Sequence, residues 1–238
     1  MRERLSLLVA ERDRVLADFL EAEKARIALA CHAMARAFAR GGTLIPFGTG
    51  AAATDAAHVA VEFMHPVIVG KRALPAVAPT NDPTGASTLA RLARPGDIAL
   101  GIVHAAEDTA VTEFLGQAAD GGLLTIAMTG AGGAVRADYG FVVPSEDPQL
   151  VQEVQETTYH VLWELVHVFF EHPGLLDDAC ITCGDVAVEA RVVEVRHVTA
   201  VIENNGLREE VAIDLLEDGV AVGDTVLCHA GVALEKIS

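Results

Sequence analysis

The stretch Phe47-Gly-Thr-Gly-Ala-Ala-Ala-Thr-Asp-Ala-Ala-His58-Val-Ala-Val-Glu62 constrains the fold of this chain more than any other. The Thr43-Leu-Ile-Pro-Phe47 segment leading into it is short and apolar, suited to a buried strand. Gly48 and Gly50 let the backbone turn sharply and approach a ligand. From about Ala51 the residues are strong helix formers. Strand, glycine turn and helix in that order place several free backbone N–H groups at a helix N-terminus, which attracts anions. His58 and Glu62 stand four apart on one helix face, and His65 continues it.

The rest of the first 170 residues repeats this alternation. Residues 1 to about 40 read as one helix, with Leu5, Leu8, Val9, Leu16, Phe19 and Leu20 at helical spacing and Gly41-Gly42 as its stop. Arg72-Ala-Leu-Pro-Ala-Val-Ala-Pro79 is short enough for a second strand, and Thr80-Asn-Asp82-Pro-Thr-Gly85 is turn chemistry. Strands follow at Asp97–Val103, Leu123–Met128 and Tyr139–Val143, with a helix from Glu107 to about Ala119 between the first two. A long helix runs from Asp147, a plausible N-cap, to about Glu171. Strands alternating with helices predict an α/β, doubly wound fold: a parallel sheet covered on both faces, with ligands beyond the carboxyl ends of its strands.

Charge and cysteine usage narrow the function classes. A net charge of −17 over 238 residues argues against nucleic acid and anionic membranes as partners. No apolar run approaches the roughly 18 residues of a spanning helix. Arg2-Glu-Arg leads into a short apolar run broken by Glu11-Arg-Asp-Arg14, unlike a signal peptide. Four cysteines at this length are no disulfide framework. The expected setting is cytoplasmic.

The glycine-turn stretch resembles the pocket entry of SIS (sugar isomerase) domains, closest to the phosphoheptose isomerases. These carry a Gly-Asn-Gly-Gly-Ser-Ala-Ala-Asp-Ala-Gln-His segment followed by Ala-x-Glu. Gly48, Gly50, Ala53, Asp55, Ala56, His58 and Glu62 match, whereas Thr49, Ala51 and Ala52 depart, Ala52 replacing the phosphate-binding Ser. The resemblance extends to the long helix, where Gln152-Glu-Val and His160 follow the family's Gln-Glu-x-His-x-x-x-x-His pattern with Gln155 in place of its first His. It spans roughly residues 1 to 172 and implies a sugar-phosphate isomerase. His58, Glu62, Gln152 and His160 would be its metal and acid–base residues, Glu62 and His160 its catalytic pair, and zinc its metal. Gly48, Thr49, Gly50, Ala52, Asp55, Asp82 and His104 would line the ligand pocket.

Two physical points qualify that implication. Gln152 and His160 lie eight apart, about 12 Å along one helix, too far for one ion whose donors stand about 2.2 Å away. Either a neighbouring subunit supplies one of them or only one is a ligand, so the expectation is a homodimer or homotetramer with an interfacial site. Secondly, the family's Ser-Thr-Ser-Gly-Asn-Ser phosphate loop here reads Val103-His-Ala-Ala-Glu107-Asp108. Its hydroxyls are gone and two carboxylates stand in their place, which repels a dianion and leaves a neutral or cationic sugar-like ligand as the alternative.

His172-Pro-Gly marks a boundary, giving an expected division into 1–173, a linker 174–179 and 180–238. Beyond it Val186–Val192, Thr199–Glu203, Glu210–Leu215 and Thr225–His229 are short and β-branched, with hairpin turns expected at Asn204-Asn-Gly206 and Glu217-Asp-Gly219. A small closed, OB-like barrel is the expectation. Cys180-Ile-Thr-Cys183-Gly-Asp, Arg191-Val-Val-Glu-Val195, Gly206-Leu-Arg-Glu-Glu-Val211, Val222-Gly-Asp-Thr-Val-Leu227 and His229-Ala-Gly-Val-Ala-Leu-Glu-Lys-Ile237 occur in order. This set resembles the HypC/HupF hydrogenase maturation chaperones. The resemblance implies Cys180 and His229 as holders of iron destined for a nickel–iron hydrogenase, and maturation proteins or the hydrogenase large subunit as partners. Cys180 follows Ala179 rather than an initiator Met, so no free amine stands beside it, and Cys183 is a candidate second thiolate. Cys228 and Cys31 read as core residues. Two functions remain open: an assembly chaperone with an SIS platform, and an isomerase with a regulatory tail.

Overall fold

The protein is described here from a computed structural model covering residues 2–79, 82–171, 176, 188–204, 206–216, 219–229 and 231–237. It divides into two units, Met1–Glu164 and Leu165–Ser238.

The first unit opens with α1 (Arg2–Ala39), stopped by Gly41 at φ +88°. Four parallel strands follow in the order β1 (Leu44–Gly48), β2 (Ile98–Ile102), β3 (Leu124–Thr129), β4 (Tyr139–Val142). Between them lie α2 (Ala52–Met64), α3 (Ala86–Leu92) and α4 (Thr109–Asp120), and α5 (Pro148–Glu171) closes the series. Ile45, Phe47, Ala99, Val103 and Ala127 share a cluster with Leu89 of α3 and Val111, Phe114, Leu115 and Ala118 of α4. The alternating strand residues Leu44, Ile98, Leu100, Ile102, Ile126 and Met128 are equally buried, so both faces are covered, as expected for a parallel sheet. Phe38 of α1 stacks on Phe63 of α2, ring centroids 5.6 Å apart. Asp147 caps α5 as expected, its carboxylate accepting the Gln149 N–H.

The expected strand at 72–79 is reduced to one bridge. Ala76 lies parallel to Leu44, held by Leu44 N–H to the Pro75 carbonyl and Val77 N–H to the Leu44 carbonyl. Pro75 and Pro79 lack the donors a longer ladder needs. The chain therefore leaves β1 for Ala76 on one side and returns to β2 on the other. Such a reversal opens a crevice at the strands' carboxyl ends, between the loops after β1 and β2.

The second unit holds a closed barrel, β5 (Val188–Val195), β6 (Thr199–Asn204), β7 (Leu207–Ala212), β9 (Val232–Lys236) and β8 (Thr225–His229) in that order around the wall. Its core is Ala190, Val192, Ala200, Ile202, Val211, Val226, Cys228 and Ala233. Asn204 of β6 pairs with Leu207 of β7, with Gly206 at φ +82° just before it, where the hairpin is expected. The second expected hairpin, at 217–219, is corrected: the chain there joins β7 to β8, which are not neighbours, and Glu217 and Asp218 lie outside the described residues. His229 of β8 pairs instead with Val232 of β9, a strand not anticipated from the sequence. β7 and β9 run parallel and, among the described residues, pair at Ala212 and Val232, beside the Ala212 N–H bond to the Gly231 carbonyl. Among the described residues no helix is long and apolar enough to cross a membrane.

Candidate functional site

Two helices carry the chemistry. α2 presents Asp55, His58 and Glu62 at positions i, i+3 and i+7, and α5 presents Gln152, Gln155, Glu156, Tyr159 and His160 on one stripe. Donor atoms of His58, Glu62 and His160 all lie within 4.8 Å of one another. His58 Nε2 is 3.3 Å from Glu62 Oε1, and the His58 and His160 rings meet edge to face at 5.2 Å.

The three gather within a single chain; of the two alternatives the helix spacing left open, a member from a neighbouring subunit or only one of Gln152 and His160 at the site, this arrangement has His160 alone beside His58 and Glu62. Gln152 is the member that leaves, because eight residues of helix separate it from His160. Its Nε2 donates to the Asp55 carboxylate at 3.1 and 3.3 Å. His65 also stays out: it is the C-cap of α2 and exposed.

Around the trio stand residues the sequence did not single out. The Tyr159 hydroxyl is 3.0 Å from His58 Nδ1, and Glu156 Oε1 is 3.8 Å from the same nitrogen. Tyr159 is buried, and its ring packs edge-on against both histidines. Burial first, then the carboxylates of Glu156, Asp55 and Glu62, push its phenol well above the ordinary value, so it stays protonated at neutral pH. Gln155, where the resembled family has His, is buried and donates from Nε2 to the Val103 carbonyl at 2.9 Å, a packing role. The stripe spacing counted from Gln152 was the available signal for Glu156 and Tyr159.

Asp55 links this cluster to the crevice. It is buried, accepts from Gln152 and lies 2.6 Å from His104 Nε2. The contact is close but misdirected, so Nε2 has a charge beside it and no hydrogen bond.

A cleft of about 260 Å³ opens over Thr49, Ala51, Ala52, His104, Glu107 and Asp108. A second, of about 380 Å³, lies over Gly48, Thr49, Gly50 and Asp82. Gly48 is obligatory: a Cβ there would stand 2.6 Å from the Ala52 carbonyl oxygen. Gly50 has φ +56° and open space around it.

The expectation of free donors at the start of α2 is corrected. Ala52, Ala53 and Thr54 N–H groups bond the carbonyls of Thr49, Gly50 and Ala51 in tight turns. Asp82 is likewise engaged, accepting from the Ser87 hydroxyl at 2.8 Å and the Thr88 N–H at 2.7 Å. Asp108 is the N-cap of α4. Its Oδ1 accepts the Val111 N–H at 3.0 Å and its Oδ2 the Thr49 hydroxyl at 2.6 Å. Donors from the glycine turn and from a helix N-terminus thus converge on a carboxylate the chain itself supplies.

Of the tail residues, Cys180 and Cys183 lie outside the described residues, and His229 is placed through its backbone at the end of β8. Cys228 is a core residue as expected, and burial followed by Glu209 pushes its thiol up to about 12. Cys31 is buried too, its Sγ 3.8 Å from the Leu162 carbonyl, with its thiol raised by burial.

Comparison with known proteins matches residues 9–130 to the SIS domain. The chain belongs to the SIS domain family. Phosphoheptose isomerase from Aquifex aeolicus is 34% identical over 183 residues, 70% of this chain and 96% of that one. The Solidesulfovibrio magneticus phosphoheptose isomerase is 34% identical over 68% of this chain and 86% of its own length. Among solved structures, phosphoheptose isomerase from Francisella tularensis superposes with a TM-score of 0.64 at 22% identity, covering 70% of this chain and 97% of its own. The Neisseria gonorrhoeae phosphoheptose isomerase gives 0.61 at 24%, covering 69% and 97%. These structures bear on the SIS fold alone. Residues 186–238, the segment holding the barrel, match the HupF/HypC family.

Proposed function

We propose that the protein is an assembly chaperone of nickel–iron hydrogenase maturation. Its C-terminal domain, 180–238, carries or passes on the iron centre, and its SIS domain, 1–173, serves as an oligomerising or ligand-binding platform. The HupF/HypC match supports the first half. One observation favours assembly over sugar-phosphate isomerisation: Asp108 already receives the Thr49 hydroxyl and the Val111 N–H, with Glu107 beside it in the same cleft. A phosphate there would meet a carboxylate instead of free donors. The ligand that suits this cleft is neutral or cationic and sugar-like.

In the tail, Cys180, Cys183 and His229 would meet the iron as cargo; thiolate and imidazole both suit it. Maturation proteins or the hydrogenase large subunit are the partners, and the setting is cytoplasmic. In the body, His58, Glu62 and His160 would hold a divalent ion such as zinc. Their nitrogen and oxygen donors are of the right chemistry, and three protein ligands leave a position open. The bound ion would polarise a carbonyl oxygen. A homodimer or homotetramer rests on α1, whose first turns expose Leu5, Leu7, Leu8 and Val9.

The second reading is an aldose–ketose isomerase, favoured by the closeness of Glu62 and His160. Moving a carbonyl between adjacent carbons needs one group to take a proton and another to return it. The test separates the two. In cells lacking the protein, Cys180→Ala should fail to restore hydrogenase maturation, while Glu62→Gln restores it close to normal. The reverse pattern, or turnover of sedoheptulose 7-phosphate lost in Glu62→Gln, establishes the isomerase instead.

A further inference from the structure

We infer that Tyr159 is a positioning residue that orients His58 for metal binding; the inference rests on the proposed divalent-ion site of the body. His58 Nε2 faces Glu62, 3.3 Å from Oε1, so this is the nitrogen available to a shared ion. Its other nitrogen, Nδ1, lies 3.0 Å from the Tyr159 hydroxyl. A histidine that ligates through one nitrogen carries its proton on the other, and the group receiving that proton fixes both tautomer and ring angle. Here the receiver is the phenol oxygen. The nearest carboxylate, Glu156, is 3.8 Å from Nδ1 and half-exposed, too far for a hydrogen bond.

Tyr159 suits this role mechanically. It is 1% exposed and ranks among the largest fully buried side chains. Its neighbour in sequence is His160, and its ring lies edge-on to His58 at 5.6 Å and to His160 at 4.9 Å. One aromatic plate thus sets two of the three donors, while its hydroxyl selects the nitrogen His58 presents. Glu62 is reached from within α2. A phenol accepts more weakly than a carboxylate, so it aligns His58 without strongly raising its basicity. The resulting site holds its ion less tightly than one backed by an aspartate, which suits a platform that exchanges its metal.

The test uses the full chain carrying Cys180→Ser and Cys183→Ser, so that the tail thiols do not compete for metal. Zinc affinity is measured against a chromophoric chelator, and the His58 tautomer is read from nitrogen NMR shifts of the zinc-loaded protein. Tyr159→Phe keeps the ring and removes only the hydroxyl. It should weaken zinc about tenfold and mix the tautomers, with the melting temperature of the metal-free protein changed little. His58→Ala should abolish binding, and Glu156→Gln should leave it within about twofold. Unchanged zinc affinity and a single tautomer in Tyr159→Phe overturn the inference alone. A larger loss in Glu156→Gln than in Tyr159→Phe assigns the role to Glu156 and also overturns it. Absence of zinc binding in the parent, or full binding in His58→Ala, removes the metal site itself and the inference with it.

Discussion

Replacing Asp108 by Asn should remove one of the two carboxylates that repel an anion from the 260 Å³ cleft, leaving Glu107. The substitution is close to isosteric. Asn is as good an N-cap as Asp, so Oδ1 can keep the Val111 N–H, while the amide nitrogen faces Thr49, whose hydroxyl oxygen turns from donor to acceptor. The fold cost should stay below about 1 kcal/mol. The electrostatic change is larger. A unit negative charge held about 4 Å from Asp108 at an effective dielectric of roughly 20 is opposed by about 4 kcal/mol. Solvent at the cleft mouth lowers this to roughly 2–4 kcal/mol, or about 30- to 1000-fold in affinity. Titration calorimetry with inorganic phosphate, and then with sedoheptulose 7-phosphate, reads the difference between Asp108→Asn and the unmodified protein. Phosphate binding of equal strength in both refutes the idea that Asp108 holds the place of a ligand's anion.

Two other outcomes test the frame around the sites. Gly48→Ala forces a Cβ to 2.6 Å from the Ala52 carbonyl oxygen and 2.8 Å from its Cβ, and should cost about 1–3 kcal/mol in thermal denaturation; a loss below about 0.5 kcal/mol counts against the tight strand-to-helix turn. Burial, with Glu209 second, holds the Cys228 thiol up to about 12, whereas the unfolded thiol ionises near 8.5. Between those values the folded state binds the extra proton, so this contribution is complete below about pH 8.5 and is lost as the pH rises towards 12. Denaturant midpoints of the protein and Cys228→Ala should therefore converge as the pH climbs over that range, and rapid alkylation of native Cys228 at neutral pH would contradict its burial.

Sequence periodicity carried the fold well because the buried strands are continuous apolar runs and each helix has a chemical stop. Gly41 ends α1 and Asp147 starts α5 as the sequence predicts. The bridge at Ala76 fell short of a strand because its prolines cannot donate, and α3 escaped notice because seven residues give too little periodicity. The site was legible one helix at a time. His58 and Glu62 share a face by spacing, but only packing brings His160 to them while sending Gln152 to Asp55. The meaning of Asp108 was half legible. Its charge could be counted; that it caps α4 and receives Thr49 depends on where the loop after β2 lies against the glycine turn.

In the barrel, the described residues pair β7 with β9 at Ala212 and Val232, next to the turn at Gly231. That turn is tacked to the facing strand by the Ala212 N–H reaching the Gly231 carbonyl. The other four seams carry ladders of four pairs or more, so local opening is expected first at this one. When it parts, β9 stays paired to β8 and β8 to β5, so the barrel becomes an open five-stranded sheet whose other four seams stay laced.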